Sequence, residues 1–146
     1  MSSFRQFDHI AITVSDLDAA TAFFVRLGLE LEGRTLVEGE FVETVCGIPG
    51  ARTEIVMLRP PGGGTGVELS RFLHPDAEPG SPAAMANVLG LRSVAFEVDD
   101  VRGEVERLAA EGFDLIGGIG EYEQTWRMAY VRGPDGIIVA LAERLG

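Results

Sequence analysis

The chain has 146 residues, of which 46% are hydrophobic and 24% charged, and its formal net charge is −11. This composition suits one compact domain or two small modules sharing a core, and the negative charge argues against nucleic acid or an anionic membrane, because both attract clustered cations. All 12 cationic residues are arginine, so chemistry that needs a lysine, such as a Schiff base or a P-loop, is excluded.

Cysteine usage and hydropathy predict a soluble, cytoplasmic protein. Cys46 is the only cysteine, which excludes an internal disulfide and a thiolate metal cage. Residues 1–6 contain no apolar signal-peptide core. No stretch approaches the roughly 18 apolar residues that a membrane span needs.

The first predicted strand, residues 9–14, has two different faces. Its period-two alternation sets His9, Ala11 and Thr13 against Ile10, Ile12 and Val14. The aliphatic set is expected to pack under a helix, which leaves the other set on the opposite face.

A helix is predicted directly after this strand. Ser15 is the expected N-cap, with Asp18 in the capping-box position. Apolar residues then follow at helical spacing as far as Leu27, and Gly28 supplies the C-terminal stop. The rest of the first half predicts a strand at 29–37, a short helical turn at 40–45, and strands at 53–59 and 67–72.

The composition shifts to Pro, Ala, Gly and Ser over residues 74–90, which predicts a linker with a short helical turn at 83–89. The pattern then restarts with a strand at 91–98 and a helix at 101–111 that ends at Gly112. A short strand at 114–116 and a glycine-rich loop at 117–120 follow. The last elements are a strand at 125–132, a turn at 133–136 and a strand at 137–142.

The second half repeats the first. A shift of 84 positions places Ala95 on Ala11 and Ser93 on His9 without a gap. Such self-similarity indicates a duplicated unit. We therefore predict an α+β protein: a single domain, 1–146, built of two βαβββ modules, 5–73 and 91–144, joined by the linker 74–90. Their curved sheets are expected to surround a concave cavity lined by the faces of His9 and Ser93.

These elements resemble the vicinal oxygen chelate superfamily, which includes glyoxalase I, methylmalonyl-CoA epimerase, extradiol dioxygenases and the bleomycin-resistance proteins. The resemblance rests on five segments: residues 9–14, 23–28, 67–69, 95–101 and 133–136. It covers nearly the whole chain and implies the glyoxalase-like fold. It says less about the reaction, because this scaffold hosts several chemistries.

The resemblance implies four metal-ligand positions, two in each module. His9 and Glu68 match the family's ligands, whereas Ser93 and Ala140 occupy the other two positions. We therefore expect a half-site that binds one divalent ion (Zn, Ni, Fe or Mn) weakly, or no ion at all. A hydrogen bond between His9 and Glu68 without metal is the alternative.

Further donors could come from Glu97 or from residues 121–123, expected in the loop before the seventh strand. His74 lies about 20 Å along an extended chain from Glu68, too far to share an ion unless the chain folds back. The predicted substrate-binding residues are Thr13, Ser93, Glu97, Tyr122 and Trp126. Whether the stripe containing Trp126 faces the core or the cavity stays open.

The sequence leaves two candidate functions. The first is a lyase, isomerase or epimerase of glyoxalase type that acts on a small oxygenated metabolite, with Glu68 as the catalytic base or ligand. The alternative is a metal-free protein that binds and sequesters a small-molecule ligand, similar to the bleomycin-resistance members. In either case we expect a homodimer, because exposed sheet edges and apolar surface need covering.

Overall fold

The computed structural model describes residues 2–146. Its contacts divide the chain into two compact units, one ending at Pro79 and the other beginning at Gly80. Each unit has one four-stranded mixed sheet with a helix against one face. The predicted α+β class with two tandem βαβββ units is confirmed.

The first unit contains four strands and two helices. In chain order they are β1 (His9–Thr13), α1 (Leu17–Arg26), β2 (Glu30–Glu38), α2 (Glu40–Cys46), β3 (Arg52–Arg59) and β4 (Gly66–His74). The sheet order is β1-β4-β3-β2. β1 runs parallel to β4, and the other neighbours are antiparallel.

The core of the first unit lies between α1 and the sheet. Helix α1 contacts β3 and β4, and its apolar spacing directs Phe24 into the sheet, where the side chain is fully buried. The strand residues Val56, Leu58 and Leu69 are also fully buried. Because side chains alternate along a strand, Glu68, next to Leu69, points to the face away from α1.

The N-cap of α1 is Asp16, not the predicted Ser15. Asp16 has extended backbone angles, and its carboxylate accepts a hydrogen bond from the backbone N–H of Ala19. Asp18 does not complete a capping box, because its carboxylate pairs instead with Arg34 on β2, at 2.6 Å. Two good capping residues in succession made the helix start ambiguous by one position.

The second unit repeats this architecture without a counterpart of α2. Its elements are β5 (Ser93–Glu97), α3 (Val101–Ala110), β6 (Gly120–Tyr122), β7 (Trp126–Arg132) and β8 (Ile138–Arg144). The sheet order is β5-β8-β7-β6, with β5 parallel to β8. Asp100 caps α3 as Asp16 caps α1.

The predicted strand at 114–116 is reduced to a single bridge between Leu115 and Val131. The edge strand is β6, which pairs with β7 through a tight hairpin. The two turn residues, Glu123 and Gln124, both have positive φ angles, as a type I′ turn requires. The sequence lacks the Asn-Gly or Asp-Gly pair that usually signals such a turn, so residues 120–122 were assigned to loop.

The segment before β5 contains turns but no helical turn at 83–89. Arg132 fixes the beginning of this segment. One of its guanidinium nitrogens donates to the carbonyls of Pro82, Ala84 and Gly136 at 2.9–3.1 Å. Gly136 has φ +82°, and a Cβ there would collide with the backbone of Pro82. Among the described residues, no helix is long and apolar enough to cross a membrane.

Candidate functional site

The parallel pairing of β1 and β4 brings His9 and Glu68 together. His9 lies opposite Gly66, and Glu68 lies opposite Ala11, so the two side chains are offset by one pleat on the same face. The His9 Nε2 atom is 3.4 Å from the Glu68 Oε2 atom, and both side chains are partly exposed. This separation is longer than a good N–H···O hydrogen bond.

Asp8 contacts the other ring nitrogen of His9. Its carboxylate Oδ2 lies 2.6 Å from the His9 Nδ1 atom. An ionised carboxylate only accepts hydrogen bonds, so this contact places a proton on Nδ1. In the neutral ring, Nε2 is then an acceptor that faces Glu68.

Arg59, at the end of β3, holds Asp8 in place. Its Nη2 atom is 3.1 Å from both carboxylate oxygens of Asp8, and its Nη1 atom donates to the Asp8 carbonyl at 2.5 Å. The Nε atom donates to Glu32 at 3.0 Å. This fork fixes the carboxylate, which in turn orients the His9 ring.

Neither Asp8 nor Arg59 was identified from the sequence. Neighbouring residues in a strand normally point to opposite faces, so strand periodicity gives no reason to pair Asp8 with His9. Asp8 precedes the first paired residue of β1, so this alternation does not apply to it. The one signal in the sequence for a partner of His9 was the acidic residue immediately before it, Asp8.

The pKa of the Asp8 carboxyl lies below its ordinary value of 3.8, first because of its hydrogen bond with His9 and then because of its hydrogen bond with Arg59. Both contacts favour the ionised form. The same contact with Asp8 raises the pKa of the Arg59 guanidinium.

Asp8→Asn is expected to lower the free energy of unfolding at neutral pH. Because the folded-state pKa of Asp8 is depressed, its contribution is fully present above the ordinary value and is lost as pH falls through the folded-state pKa. The difference between wild type and variant should therefore shrink on acidification below pH 3.8. Urea unfolding across this range measures it, with Asp99→Asn as a control for losing one exposed carboxylate. A difference independent of pH would contradict the assignment.

The second sheet carries no equivalent donors. Ser93 pairs with Ile138, and Ala95 pairs with Ala140, in the same parallel register as β1 and β4. Ser93 and Ala140 therefore stand at the positions equivalent to His9 and Glu68, as the repeat indicated for Ser93 and the family resemblance implied for Ala140. Ala140 is buried, and its methyl group offers no ligand atom.

Four other predicted site residues share one face of the second sheet. Ser93 and Glu97 lie on β5, and the strand pairings place Trp126 and Tyr122 on the same side. Thr13 lies on β1 opposite Ser70 and is exposed. The open question about Trp126 is thus resolved: its stripe faces away from α3.

The remaining candidate donors occupy other positions within their own units. Glu121 belongs to β6, not to a loop, and its carboxylate pairs with Arg127 at 2.7 Å on the α3 side of the sheet. Glu123 lies in the hairpin turn. The His74 ring contacts the carbonyl of Gly50 at 3.0 Å, at the opposite end of β4 from Gly66.

The spacing of His9 and Glu68 fits two ligands of one ion, but the number of donors does not fit a closed site. Bonds of about 2.1 Å at a tetrahedral angle separate two donors by about 3.4 Å, and the observed distance is 3.4 Å. No group of three or more His, Cys, Asp or Glu side chains that could hold a metal exists within residues 2–146. A tightly held resident ion therefore does not fit these residues.

Comparison with known proteins places this geometry in a family. The model of the Glyoxalase/Bleomycin resistance protein/Dioxygenase superfamily matches residues 8–130, which include the β1–β4 pair and β5. The chain belongs to this superfamily. A search of curated proteins found no significant match.

Several solved structures share this fold. A glyoxalase family protein from Bacillus cereus is 40% identical, with a TM-score of 0.94, and the alignment covers 100% of this chain and 99% of that one. TnmS3, an antibiotic-binding protein from Streptomyces sp. CB03234, is 20% identical over 99% of both chains, with a TM-score of 0.62. The trypanothione-dependent glyoxalase I of Leishmania major is 20% identical over 96% of this chain and 87% of that one, with a TM-score of 0.64.

Proposed function

We propose that this protein binds and sequesters a small organic molecule without a resident metal ion, as a member of the superfamily of the bleomycin-resistance type. One observation carries the proposal: the second sheet has Ser93 and Ala140 where the first has His9 and Glu68. A protein that needs four ligands for metal catalysis would not tolerate a methyl group at one of them. Antibiotic binding by TnmS3, which shares the fold, is compatible with such a role.

His9 and Glu68 would then recognise ligand oxygens directly. In the neutral tautomer with its proton on Nδ1, held by Asp8, the His9 Nε2 atom and the Glu68 carboxylate would be two acceptors 3.4 Å apart. A hydroxyl, amide N–H or ammonium of the ligand can donate to both. Thr13, on the same face of β1, would add a neutral hydroxyl.

The second candidate is a lyase, isomerase or epimerase acting on a small oxygenated metabolite. The contact between Asp8 and His9 favours it, because a carboxylate behind a histidine is the usual support of a metal-ligating or acid–base imidazole. Glu68 would be the base that takes a proton from the substrate, and His9 would orient the substrate oxygen. A divalent ion, if it takes part, would be held by His9 and Glu68 and would polarise that oxygen.

Ligand screening with and without a chelator separates the two candidates. Small oxygenated metabolites and cationic antibiotics are titrated by calorimetry, and each binder is incubated with the protein and followed by NMR. Binding that survives EDTA and leaves the ligand unchanged supports sequestration. Conversion of the ligand that EDTA abolishes would overturn it in favour of the metal-assisted enzyme.

We also propose that the chain forms a homodimer. Strand β2 ends its sheet, and an exposed apolar set lies on it and on the neighbouring α2: Leu31, Leu36, Phe41 and Val45. Such edges and patches are commonly covered by a second copy. Light scattering at micromolar concentration is expected to give the mass of two chains, and the mass of one chain would contradict the proposal.

We also propose that the protein is located in the cytoplasm. Cys46 is the only cysteine in the sequence and its side chain is exposed. A free exposed thiol suits a reducing compartment. Fractionation of cells that express the full chain would place it in the cytoplasmic fraction, and recovery from an oxidising compartment would refute this.

A further inference from the structure

The face of the second sheet turned away from α3, called here the distal face, differs in chemistry from the corresponding face of the first sheet. Its residues are Ser93, Ala95, Glu97, Ile138, Ala140, Ala142, Arg144, Arg132, Tyr130, Met128, Trp126 and Tyr122. The corresponding face of the first sheet carries His9 and Glu68 beside Met57 and Ile55, whereas aromatic rings and methyl groups dominate here. The opposite side of the second sheet is buried and contacts α3.

Small side chains occupy the middle of the distal face. Ala95 and Ala140 are direct neighbours, and the next strand places Tyr130 beside Ala140. One pleat further, Met128 lies beside Ala142. Ala140 is buried, whereas Ala95 is exposed and Ala142 is partly exposed, so the accessible floor consists of these last two alanines. With an aromatic ring and a thioether along one side, it suits a flat, apolar group.

Arg144 lies at one end of this floor with unused hydrogen-bonding capacity. Its guanidinium stacks over the Trp126 ring at 4.4 Å. Its nearest carboxylate, on Glu97, is 3.8 Å away, which is beyond hydrogen-bonding distance. Within residues 2–146 the Arg144 guanidinium makes no hydrogen bond, although it carries five N–H donors.

We propose that the distal face binds a planar aromatic ligand that carries a carboxylate or a similar anionic oxygen group. The ring lies on the alanine floor beside Tyr130 and Trp126, and the anionic group accepts hydrogen bonds from Arg144, displacing Glu97. The proposal rests on the small-molecule binding function and names the class of ligand. It runs against the net charge of −11, which by itself would favour a cation.

Three probes separate the contributions of ring and charge: 2-naphthoate, 2-naphthylmethylammonium and cyclohexanecarboxylate. Trp126 is the only tryptophan, so its indole N–H gives a single NMR cross-peak that reports binding at this face. We expect 2-naphthoate to shift this peak and to bind about tenfold more tightly than either other probe. Equal or tighter binding of the naphthylmethylammonium ion, or no shift of the peak, would overturn the proposal.

Matched variants test the two parts of the site by calorimetry. Arg144→Gln is expected to weaken naphthoate binding about tenfold, and Ala142→Leu, which fills the floor, should abolish it. Arg107→Gln and Ala109→Leu make the same changes on exposed positions of α3 and should leave it unchanged. Equal effects of a variant and its control would overturn the proposal.

Failure of this inference is distinguishable from failure of the proposed function. Absence of naphthoate binding, with chelator-resistant binding of another ligand, would refute the ligand class alone. Chelator-sensitive turnover would refute sequestration while leaving the indole shift with naphthoate in place.

Discussion

The double substitution Ser93→His and Ala140→Glu is expected to raise affinity for divalent metal ions by orders of magnitude. The two positions share the register of His9 and Glu68, whose donor atoms lie 3.4 Å apart. The substitutions therefore add an imidazole and a carboxylate with the spacing of two ligands on one ion. Calorimetric titration of Zn, Ni or Co into wild type and variant measures the difference.

A control for the added residue types is Arg102→His with Ala109→Glu, at exposed positions on α3. This variant should bind metal no better than wild type. Because Ala140 is buried, circular dichroism must first show that the Ala140→Glu chain is folded. Equal metal affinities of wild type and the folded Ser93/Ala140 variant would mean that these positions do not act as ligand positions.

Phe24→Ala is expected to lower the free energy of unfolding by about 3–5 kcal/mol. The Phe24 side chain is fully buried, with its ring edge-on to Phe23 at 5.2 Å, and α1 contacts β3 and β4. Truncation removes this packing and leaves a cavity behind the strand that carries Glu68. Urea denaturation monitored by circular dichroism measures the loss.

Val25→Ala is the matched control on the same helix. The Val25 side chain is 45% exposed, so its truncation should change the free energy of unfolding by about 0.5 kcal/mol or less. Comparable losses for the two variants would show that α1 does not pack as described. A loss confined to Phe24→Ala supports the core that holds β4 in place.

Strand periodicity was sufficient to predict the two sheets and the placement of Glu68. Alternation along β1 and β4 fixes which side chains share a face, and the internal repeat transfers the face of β1 to β5. The equivalence of Ala140 and Glu68 was implied by the family resemblance, because the shift of 84 positions does not place Glu68 on Ala140. Local patterns failed where two signals competed, as at Ser15 and Asp16, or where the usual turn residues were missing, as at Glu123.

The support behind His9 could not be predicted from the sequence. Arg59 is far from Asp8 in sequence, and its side chain reaches Asp8 only because β3 and β4 bring the strand ends together. A flexible arginine could pair with any of many carboxylates in so acidic a chain. Only the tertiary structure determines which carboxylate it contacts. The contact of Arg144 with Trp126 could not be predicted from the sequence either, because Arg144 lies near the end of β8.

The metal content of the purified protein is the most direct test of the proposal that it works without a resident ion. The full chain is purified without an immobilised-metal column and without added metal, and its Zn, Ni, Fe and Mn are measured by mass spectrometry. Because His9 and Glu68 are the two donors brought together within residues 2–146, we expect far less than one ion per chain, removable by EDTA. A stoichiometric ion that resists EDTA would contradict the account.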